Sequence, residues 1–501
     1  MTSWPDNPRP LARYGRLRPG DSSAAAATDW RSVRDARQPV IDQTSPERSP
    51  GFRIGRLKFD ADGIFALAIF LPLLFIVQLA TFGAALVAAL TPVYLFVRRR
   101  GLVRVLLPRA FLFIVPAFAM LSILWSEAPK ETFRFAAELG LTALAGILLS
   151  SARRQDMVIR GMTVAFLIYV AVAVVAGGRV GIGVGAGGDA FSGLTQSKNL
   201  LGDIASTGLL VSMAAVMMAV RDRRWIWLAV GGIAVGLDLY AVIAARSAGA
   251  LLGLGLGVGA MFALAPLIKA GPIMRGWLTS AVVLCLVAGG LGYRTLAAGM
   301  ISLGANLFDK DPTLTGRTYL WYRAADLIRE KPMLGRGYYA FWRQGNIDAE
   351  GLWRYFGIDS RGGFTFHNTL VDIMVTLGWL GVVVVVGVAL IGLIAILRRF
   401  VLRPDLSLVC WISILLYQMA RTPIETIGIA PFYFSTVLTF GALGAAFGRI
   451  QRVSAPRRRS VVRRPVLQLR AWQVERAATS KAGGDISVAS KFRAWPTRSN
   501  E

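Results

Sequence analysis

Long apolar runs separated by short polar connectors occupy the chain between residues 61 and 450. Most of these runs are close to the ~20 residues that an α-helix needs to cross a bilayer. The pattern therefore predicts an all-α integral membrane protein with about 12 transmembrane helices. The predicted spans cover residues 63–79, 81–97, 106–125, 134–151, 158–177, 200–220, 225–244, 248–267, 277–294, 368–397, 406–422 and 427–448.

Basic residues are concentrated in every second connector between these spans. Short loops rich in Lys and Arg stay in the cytoplasm, whereas the intervening connectors carry few positive charges. The pattern therefore predicts an even number of spans with both termini on the cytoplasmic side. The basic connectors contain Arg98–Arg100, Arg153 with Arg154, Arg221–Arg224, Lys269 with Arg275, and Arg398 with Arg399.

The two ends of the chain lack any apolar period. Residues 1–60 and 451–501 are rich in polar and basic residues, and both are predicted to be disordered, basic cytoplasmic tails around a membrane domain at 61–450. The net charge of +27 lies mostly in these tails and in the connectors, so it predicts topology and contact with membrane lipids, and not a nucleic-acid site. Cys285 and Cys410 fall inside apolar runs and are interpreted as core residues.

One connector is long, polar and aromatic. Residues 295–367 join the ninth and tenth spans, and the topology places this loop on the outer, periplasmic side. Leu320 to Arg329 have the spacing of an amphipathic helix, and Lys331, Pro332 and Gly335 end it. Long loops of compact proteins are often functional, so this loop is predicted to fold as short helices over the membrane surface.

The only histidine of the chain, His367, lies where this loop enters the tenth span. A single histidine at a helix start is more often a cap or an interfacial residue than a catalytic group. Its neighbour Asn368 and the nearby Gly378 and Gly381 leave a helix that a ligand or another backbone can approach closely. His367 is therefore a candidate catalytic residue.

Several cations are predicted to lie on the same side as His367. Arg246 occupies a very short outer turn, where a charge is either functional or reaches up to the interface. Arg317 opens the amphipathic helix of the long loop, and Lys198 with Asn199 opens the sixth span. Such cations near a helix N-terminus can hold phosphate by charge-assisted hydrogen bonds.

Arg421 and Glu425 flank the outer end of the eleventh span. They are interpreted as a structural ion pair, or as groups that position another site residue. Together with Lys198 and Asn199, they are also possible contacts to the donor or the acceptor.

Motifs for other chemistries are missing from the sequence. The glycine-rich residues 177–188 have no strand before them, which favours a flexible loop over a nucleotide site. With one histidine and no CxxC arrangement, no metal site and no cofactor are predicted.

Five segments in order resemble the bacterial superfamily of O-antigen ligases and of exopolysaccharide and O-antigen polymerases, which are membrane glycosyltransferases. They are SILWSEAPKETFRFA at 122–136, SGLTQSKNLLG at 192–202, ARSAGALLGL at 245–254, TGRTYLW with KPMLGRGYYAFW between 315 and 342, and HNTLVDIMVTLGWLG at 367–381. The resemblance implies a C-type glycosyltransferase fold in the bacterial inner membrane. It also implies metal-independent, inverting transfer at the periplasmic face from a glycan carried on undecaprenyl diphosphate.

The resemblance also implies roles for individual residues. Arg246 and Arg317 match two arginines that hold the diphosphate, and His367 matches a histidine that activates the acceptor hydroxyl. Lys198 and Asn199 match a Lys-Asn pair typical of exopolysaccharide polymerases. These relatives usually carry His before that pair, whereas this chain has Ser197, whose role the resemblance does not assign.

The leading prediction is polymerisation of an exopolysaccharide or O-antigen. The acceptor is expected to be a glycan or a lipid-linked molecule, and a chain-length regulator is a further expected partner. The closest alternative is a ligase that transfers the finished glycan to lipid A-core or another acceptor through the same donor site. A transporter or flippase is a further alternative, although no inverted repeat is evident. A scaffold without catalysis would instead tolerate substitution of Arg246, Arg317 and His367.

Overall fold

The computed structural model describes residues 51–447 except 55–56, 182–187, 292–316 and 362–363. This part of the chain is a bundle of α-helices with two small antiparallel sheets. The membrane-protein fold predicted from the apolar runs is confirmed, since eight helices are long and apolar enough to cross a bilayer. The chain up to residue 50 and from residue 448 onward, where both disordered tails are predicted, lies outside the described residues.

The helices follow the predicted spans closely. They are α1 (Ala61–Leu74), α2 (Ile76–Val97), α3 (Leu102–Trp125, with 3₁₀ segments), α4 (Pro129–Ser150), α5 (Gln155–Ala176), α6 (Lys198–Arg221), α7 (Trp225–Ala244), α8 (Ala248–Leu267), α9 (Pro272–Leu291), α10 (Arg317–Glu330), α11 (Ile347–Tyr355), α12 (Thr369–Leu402), α13 (Leu406–Arg421) and α14 (Phe434–Ala445).

Each of the twelve predicted spans overlaps one of these helices. The helices α1, α13 and α14 are shorter than a full bilayer crossing, at 14, 16 and 12 residues. The count of twelve spans therefore stays a prediction. The predicted division between the first two spans falls at residue 80, and Ala80 has non-helical backbone angles inside α2.

Two hairpins modify the expected organisation. The strands β1 (Gly51–Ile54) and β2 (Leu57–Asp60) pair antiparallel just before α1, within residues expected to be an unstructured tail. The strands β3 (Gly178–Gly181) and β4 (Asp189–Gly193) pair across part of the glycine-rich stretch, which was expected to be a flexible loop. In both hairpins, hydrogen bonds between the two strands pair backbone N–H and C=O groups. The hydrophobic pattern of the sequence predicts no partner for these groups.

The helices pack around α6. This helix runs along α7 and α5, and α13 lies against both α6 and α8. Glycines permit the closest approaches, because a side chain at Gly257 of α8 would meet Leu210 of α6 at 2.9 Å. Small residues of this kind bring helix backbones together in membranes, where apolar burial alone does not drive helix association. Large apolar side chains on α2, α7 and α9 face outward, as expected for lipid contact.

The connector before α12 inserts its backbone into that helix. At Gly378, α12 has φ 66° and ψ −168°, so the helix is interrupted there. The freed amides donate to the connector, with Trp379 N to Pro332 O at 2.9 Å and Leu380 N to Met333 O at 3.2 Å. In return, Gly337 N donates to Thr376 O at 2.8 Å. The close backbone approach expected near Gly378 is therefore present.

Residues 317–361 and 364–366 form a separate unit, here called the loop lobe. The amphipathic helix predicted over Leu320 to Arg329 is confirmed as α10, and α11 is a second short helix. The lobe has its own small core, which contains Leu320, Leu327, Phe341, Leu352, Trp353 and Phe366. Glu127 anchors the lobe's connector to the start of α4 through Lys331 at 2.8 Å and Arg336 at 2.7 Å.

We expect Gly378→Ala to destabilise the protein by about 1–2 kcal/mol or more, because left-handed backbone is costly for L-residues and the added methyl would collide with the Met333 carbonyl. Gly387→Ala on the same helix meets open space, so its effect should stay within about 0.5 kcal/mol. Thermal unfolding of the purified protein measures both. Equal stability of the two variants would contradict the insertion.

Candidate active site

Three chain segments that are distant in sequence meet at one carboxylate. His367 lies two residues before the start of α12, Arg317 is the first residue of α10, and Glu425 lies between α13 and α14. Nδ1 of His367 is 3.1 Å from Oε2 of Glu425, and Nη2 of Arg317 is 2.8 Å from Oε1 of the same carboxylate. His367 and Arg317, two of the predicted site residues, thus both contact Glu425, which is a third.

The Glu425 side chain is only 19% exposed, yet it is charged at neutral pH. Burial alone would raise the pKa of this carboxyl, but the hydrogen bond from His367 and the charges of Arg317 and Arg421 lower the pKa to about 2. An ionised carboxylate only accepts hydrogen bonds, so Nδ1 of His367 is the donor. In the neutral imidazole, Nε2 then carries the lone pair and can accept a proton.

The backbone holds His367 in an uncommon conformation. Its φ is 50°, and its amide donates to Oγ1 of Thr365 at 3.2 Å. Left-handed backbone at a residue other than glycine costs free energy and often accompanies functional sites. The helix cap is the next residue, since Oδ1 of Asn368 accepts from Leu370 N and Val371 N at 3.0 and 3.2 Å. The alternative interpretation of His367 as the cap therefore does not hold.

The start of α12 is also tied to the segment that carries Glu425. Nδ2 of Asn368 donates to Pro423 O at 3.0 Å, and Oγ1 of Thr369 donates to Glu425 O at 2.8 Å. Asp372, one turn later, accepts from Phe366 N at 3.3 Å and from the Thr426 hydroxyl. The backbones on both sides of the His367–Glu425 contact are thus held by the same helix end.

Arg421 does not pair with Glu425, as one interpretation of the sequence expected. Within the described residues its ion-pair partner is Asp203 of α6, and both side chains are almost fully buried. The Tyr417 hydroxyl donates to Oδ1 of Asp203 at 2.8 Å. Arg421 pairs with Asp203 because it belongs to the last turn of α13, and this helix packs on α6.

Arg421 still lies next to the carboxylate cluster. The Glu425 amide donates to the Arg421 carbonyl at 2.9 Å, so a single turn connects the Asp203–Arg421 pair to the Arg317–Glu425–His367 cluster. The second predicted role of Arg421, that of positioning another group, agrees with this geometry.

The remaining candidates lie where α6 and α8 begin. Lys198 and Asn199 start α6, and the Ser247 hydroxyl donates to Oδ1 of Asn199 at 3.1 Å. Arg246 precedes Ser247, is exposed and has φ 47°. The start of α8 lies against the Glu425 segment, since a Cβ at Gly249 would come within 2.5 Å of Ile424. All seven candidates are thus associated with one end of the α6, α8 and α13 group.

Ser197 has a structural explanation. It is the N-cap of α6, and its side chain accepts from Leu200 N at 3.4 Å. Serine is among the best N-cap residues because its short hydroxyl reaches a free amide of the first turn.

Sequence reasoning did not find Asp203 and Asp372. Both are single acidic residues inside otherwise apolar helices, which is the signal that marks a functional or tightly paired group in a membrane protein. Asp238 of α7 carries the same signal and accepts from the Ser212 hydroxyl of α6 at 3.1 Å.

Comparison with known proteins gives two findings. The family described as O-antigen ligase matches residues 233–386, which include Arg246, Arg317 and His367. The exopolysaccharide production protein ExoQ of Rhizobium meliloti (strain 1021) is 30% identical over 417 residues, covering 79% of this chain and 89% of the relative.

This chain belongs to the O-antigen ligase family. The resemblance inferred from five short segments is therefore confirmed. The family match contains three of those segments, whereas 122–136 and 192–202 precede it. Lys198, Asn199, Arg421 and Glu425 also lie outside the match, so the cluster combines residues inside and outside the region that identifies the O-antigen ligase family.

We expect the stabilisation from Glu425 to depend on pH. Since its pKa falls from an ordinary 4.5 to about 2 on folding, this stabilisation is complete above pH 4.5 and is lost as the pH falls toward 2. The difference in unfolding free energy between the protein and Glu425→Gln should shrink as the pH falls below 4.5. Thermal unfolding between pH 8 and 3 measures it, with the exposed Glu131→Gln as control. A difference that stays constant down to pH 3 would contradict the assigned ionisation.

Proposed function

We propose that this protein polymerises an exopolysaccharide or O-antigen by transferring a growing glycan from undecaprenyl diphosphate to a lipid-linked repeat unit. The observation that carries the proposal is the Arg317–Glu425–His367 cluster, which places a proton acceptor beside an anion-binding cation. The similarity to ExoQ of Rhizobium meliloti, an exopolysaccharide production protein, supports the same class of product. The cluster lies at the periplasmic face, with both chain termini in the cytoplasm.

His367 acts as the general base. Glu425 holds Nδ1, so Nε2 accepts the proton of the attacking acceptor hydroxyl as the new glycosidic bond forms. The carboxylate also stabilises the imidazolium that results, in the manner of the acidic member of a catalytic triad. Attack on the side opposite the leaving group inverts the anomeric carbon.

Arg317 and Arg246 stabilise the departing undecaprenyl diphosphate. A guanidinium has five N–H donors in a planar arrangement suited to phosphate, and Glu425 receives a hydrogen bond from Nη2 of Arg317. Fixed positive charge at the leaving group lowers the barrier, because it meets negative charge as that charge develops. Lys198 and Asn199, on the first turn of α6, are candidate donor or acceptor contacts.

The proposed transfer needs no metal ion or cofactor. Arg317 and Arg246 supply the positive charge that balances the diphosphate.

A chain-length regulator is a proposed partner of this protein.

Ligation to lipid A-core or another acceptor is the second candidate, because the matched family is described as O-antigen ligase. It would use the same donor site and the same base. A flippase is less well supported, because the Arg317–Glu425–His367 cluster lies at helix ends and not along a path between the two faces.

We expect His367→Ala to reduce turnover of a purified lipid-diphosphate donor by about 10²- to 10⁴-fold, the usual contribution of a general base. Arg317→Ala should cost about 10²- to 10³-fold through lost stabilisation of the leaving group. Arg329→Ala on the same helix is the matched control, because its side chain is 72% exposed and pairs with Asp326. Turnover of His367→Ala at the normal rate would remove the proposed mechanism.

A deletion strain distinguishes polymerase from ligase. For a polymerase we expect long chains to disappear from the lipid-linked pool while single repeat units accumulate. Full-length chains that accumulate on undecaprenyl diphosphate would instead show that the protein is a ligase. Gel analysis of the extracted lipid-linked glycans gives the answer, with expression of the intact chain as the control.

A further inference from the structure

A row of contacting aromatic rings leads from His367 to the surface of the loop lobe. The Phe364 ring meets the His367 ring edge to face, with centroids 5.5 Å apart. Phe356 packs on Phe364 at 5.4 Å, and Tyr355 on Phe356 at 5.0 Å. The Tyr319 ring then lies against the Tyr355 ring, tilted to it by 33° with centroids 4.3 Å apart. These four aromatic residues, here called the aromatic row, are each at least partly exposed.

The aromatic row begins at the imidazole that the acceptor must approach. Glu425 occupies Nδ1, so the attacking hydroxyl approaches Nε2, and the rest of the acceptor has to extend away from there. Phe364 borders the same imidazole. An acceptor sugar at His367 would thus have its next sugars near Phe356 and Tyr355.

The chemistry of the aromatic row suits sugars better than lipid. A pyranose has apolar C–H faces and polar edges, and tyrosine likewise combines a flat apolar ring with a hydroxyl. Arg323 lies one helical turn after Tyr319 on α10 and pairs with Asp326 at 3.0 Å and with Asp348 of α11 at 3.5 Å. Such charges are costly among acyl chains but can hydrogen-bond to sugar hydroxyls.

We infer that Tyr319, Tyr355, Phe356 and Phe364 form a subsite for the acceptor glycan, which stacks the sugars behind the one that carries the reacting hydroxyl. The inference rests on the proposed function, because it requires His367 to bind that hydroxyl. It assigns the loop lobe a second task besides carrying Arg317, namely recognition of the repeat unit beyond its terminal sugar.

Competition with lipid-free sugars tests the subsite on the purified full chain in lipid nanodiscs. The probes are an oligosaccharide of one complete repeat unit, cut from the polymer that the deletion strain loses, and the terminal monosaccharide that carries the acceptor hydroxyl. Each is titrated against transfer to the lipid-linked acceptor. For Tyr355→Ala and Tyr319→Ala we expect the half-inhibiting concentration of the oligosaccharide to rise about fivefold to tenfold, the value of one aromatic contact. The half-inhibiting concentration of the monosaccharide should not change in these variants.

The controls separate stacking from folding and from membrane contact. Tyr322→Ala removes a tyrosine of α10 that is 63% exposed, like Tyr355, but lies outside the aromatic row, and it should behave as the unmodified protein. Tyr355→Phe keeps the ring and should keep the affinity. The KM for the lipid-linked acceptor should rise in the two alanine variants, while kcat and the KM for the donor stay unchanged.

Three results would overturn the subsite: an unchanged oligosaccharide affinity, an equal loss for oligosaccharide and monosaccharide, or the same loss in Tyr322→Ala. The last result would point to a general contact of the lobe with the bilayer. Each of these leaves the proposed function intact, since the unmodified protein still transfers glycan and His367→Ala does not. Normal turnover by His367→Ala would instead reject the proposed function itself.

Discussion

The buried carboxylate of Glu425 is the group on which the site depends. A carboxylate that is 19% exposed keeps its charge only if cations and hydrogen-bond donors surround it, and here Arg317 and His367 each supply one contact. The same contacts set the geometry of the other two residues. They direct Nε2 of His367 away from the carboxylate and bring the first residue of α10 to the start of α12. One charge thus joins three loops that would otherwise be independent.

Residues of the helix bundle hold the segment that carries Glu425 in position. The turn from Arg421 to Glu425 is held on one side by the Asp203–Arg421 pair inside the helices, and on the other by Asn368 and Thr369. The connector that enters α12 at Gly378 and the Glu127 ion pairs hold the loop lobe from its far end. Preorganisation of this kind lets fixed charges act on a transition state without reorganising.

Much of the fold was readable from the apolar pattern. Helix lengths near that of a bilayer, the amphipathic spacing of Leu320 to Arg329 and the order of the five family segments depend on local sequence, and local sequence predicts them well. The break at residue 80 was found for the same reason. The hairpins of β1 with β2 and of β3 with β4 were missed because they rest on backbone pairing. Neither leaves an apolar period, since hydrogen bonds between backbones do not select side chains. A close backbone approach near Gly378 was expected, but the sequence did not show that Pro332 and Met333 supply it.

The sequence by itself determined that the chain is a helical membrane protein of the O-antigen ligase family, and it singled out His367, Arg246 and Arg317, because solvent preference and short motifs are written along the chain. It did not determine which charges pair. Arg421 was expected to pair with Glu425, four residues away, but its ion-pair partner Asp203 lies 218 positions earlier on another helix. Only the tertiary structure decided that, because a buried ion pair is selected by which helix ends pack together, and packing joins residues without regard to their separation in sequence.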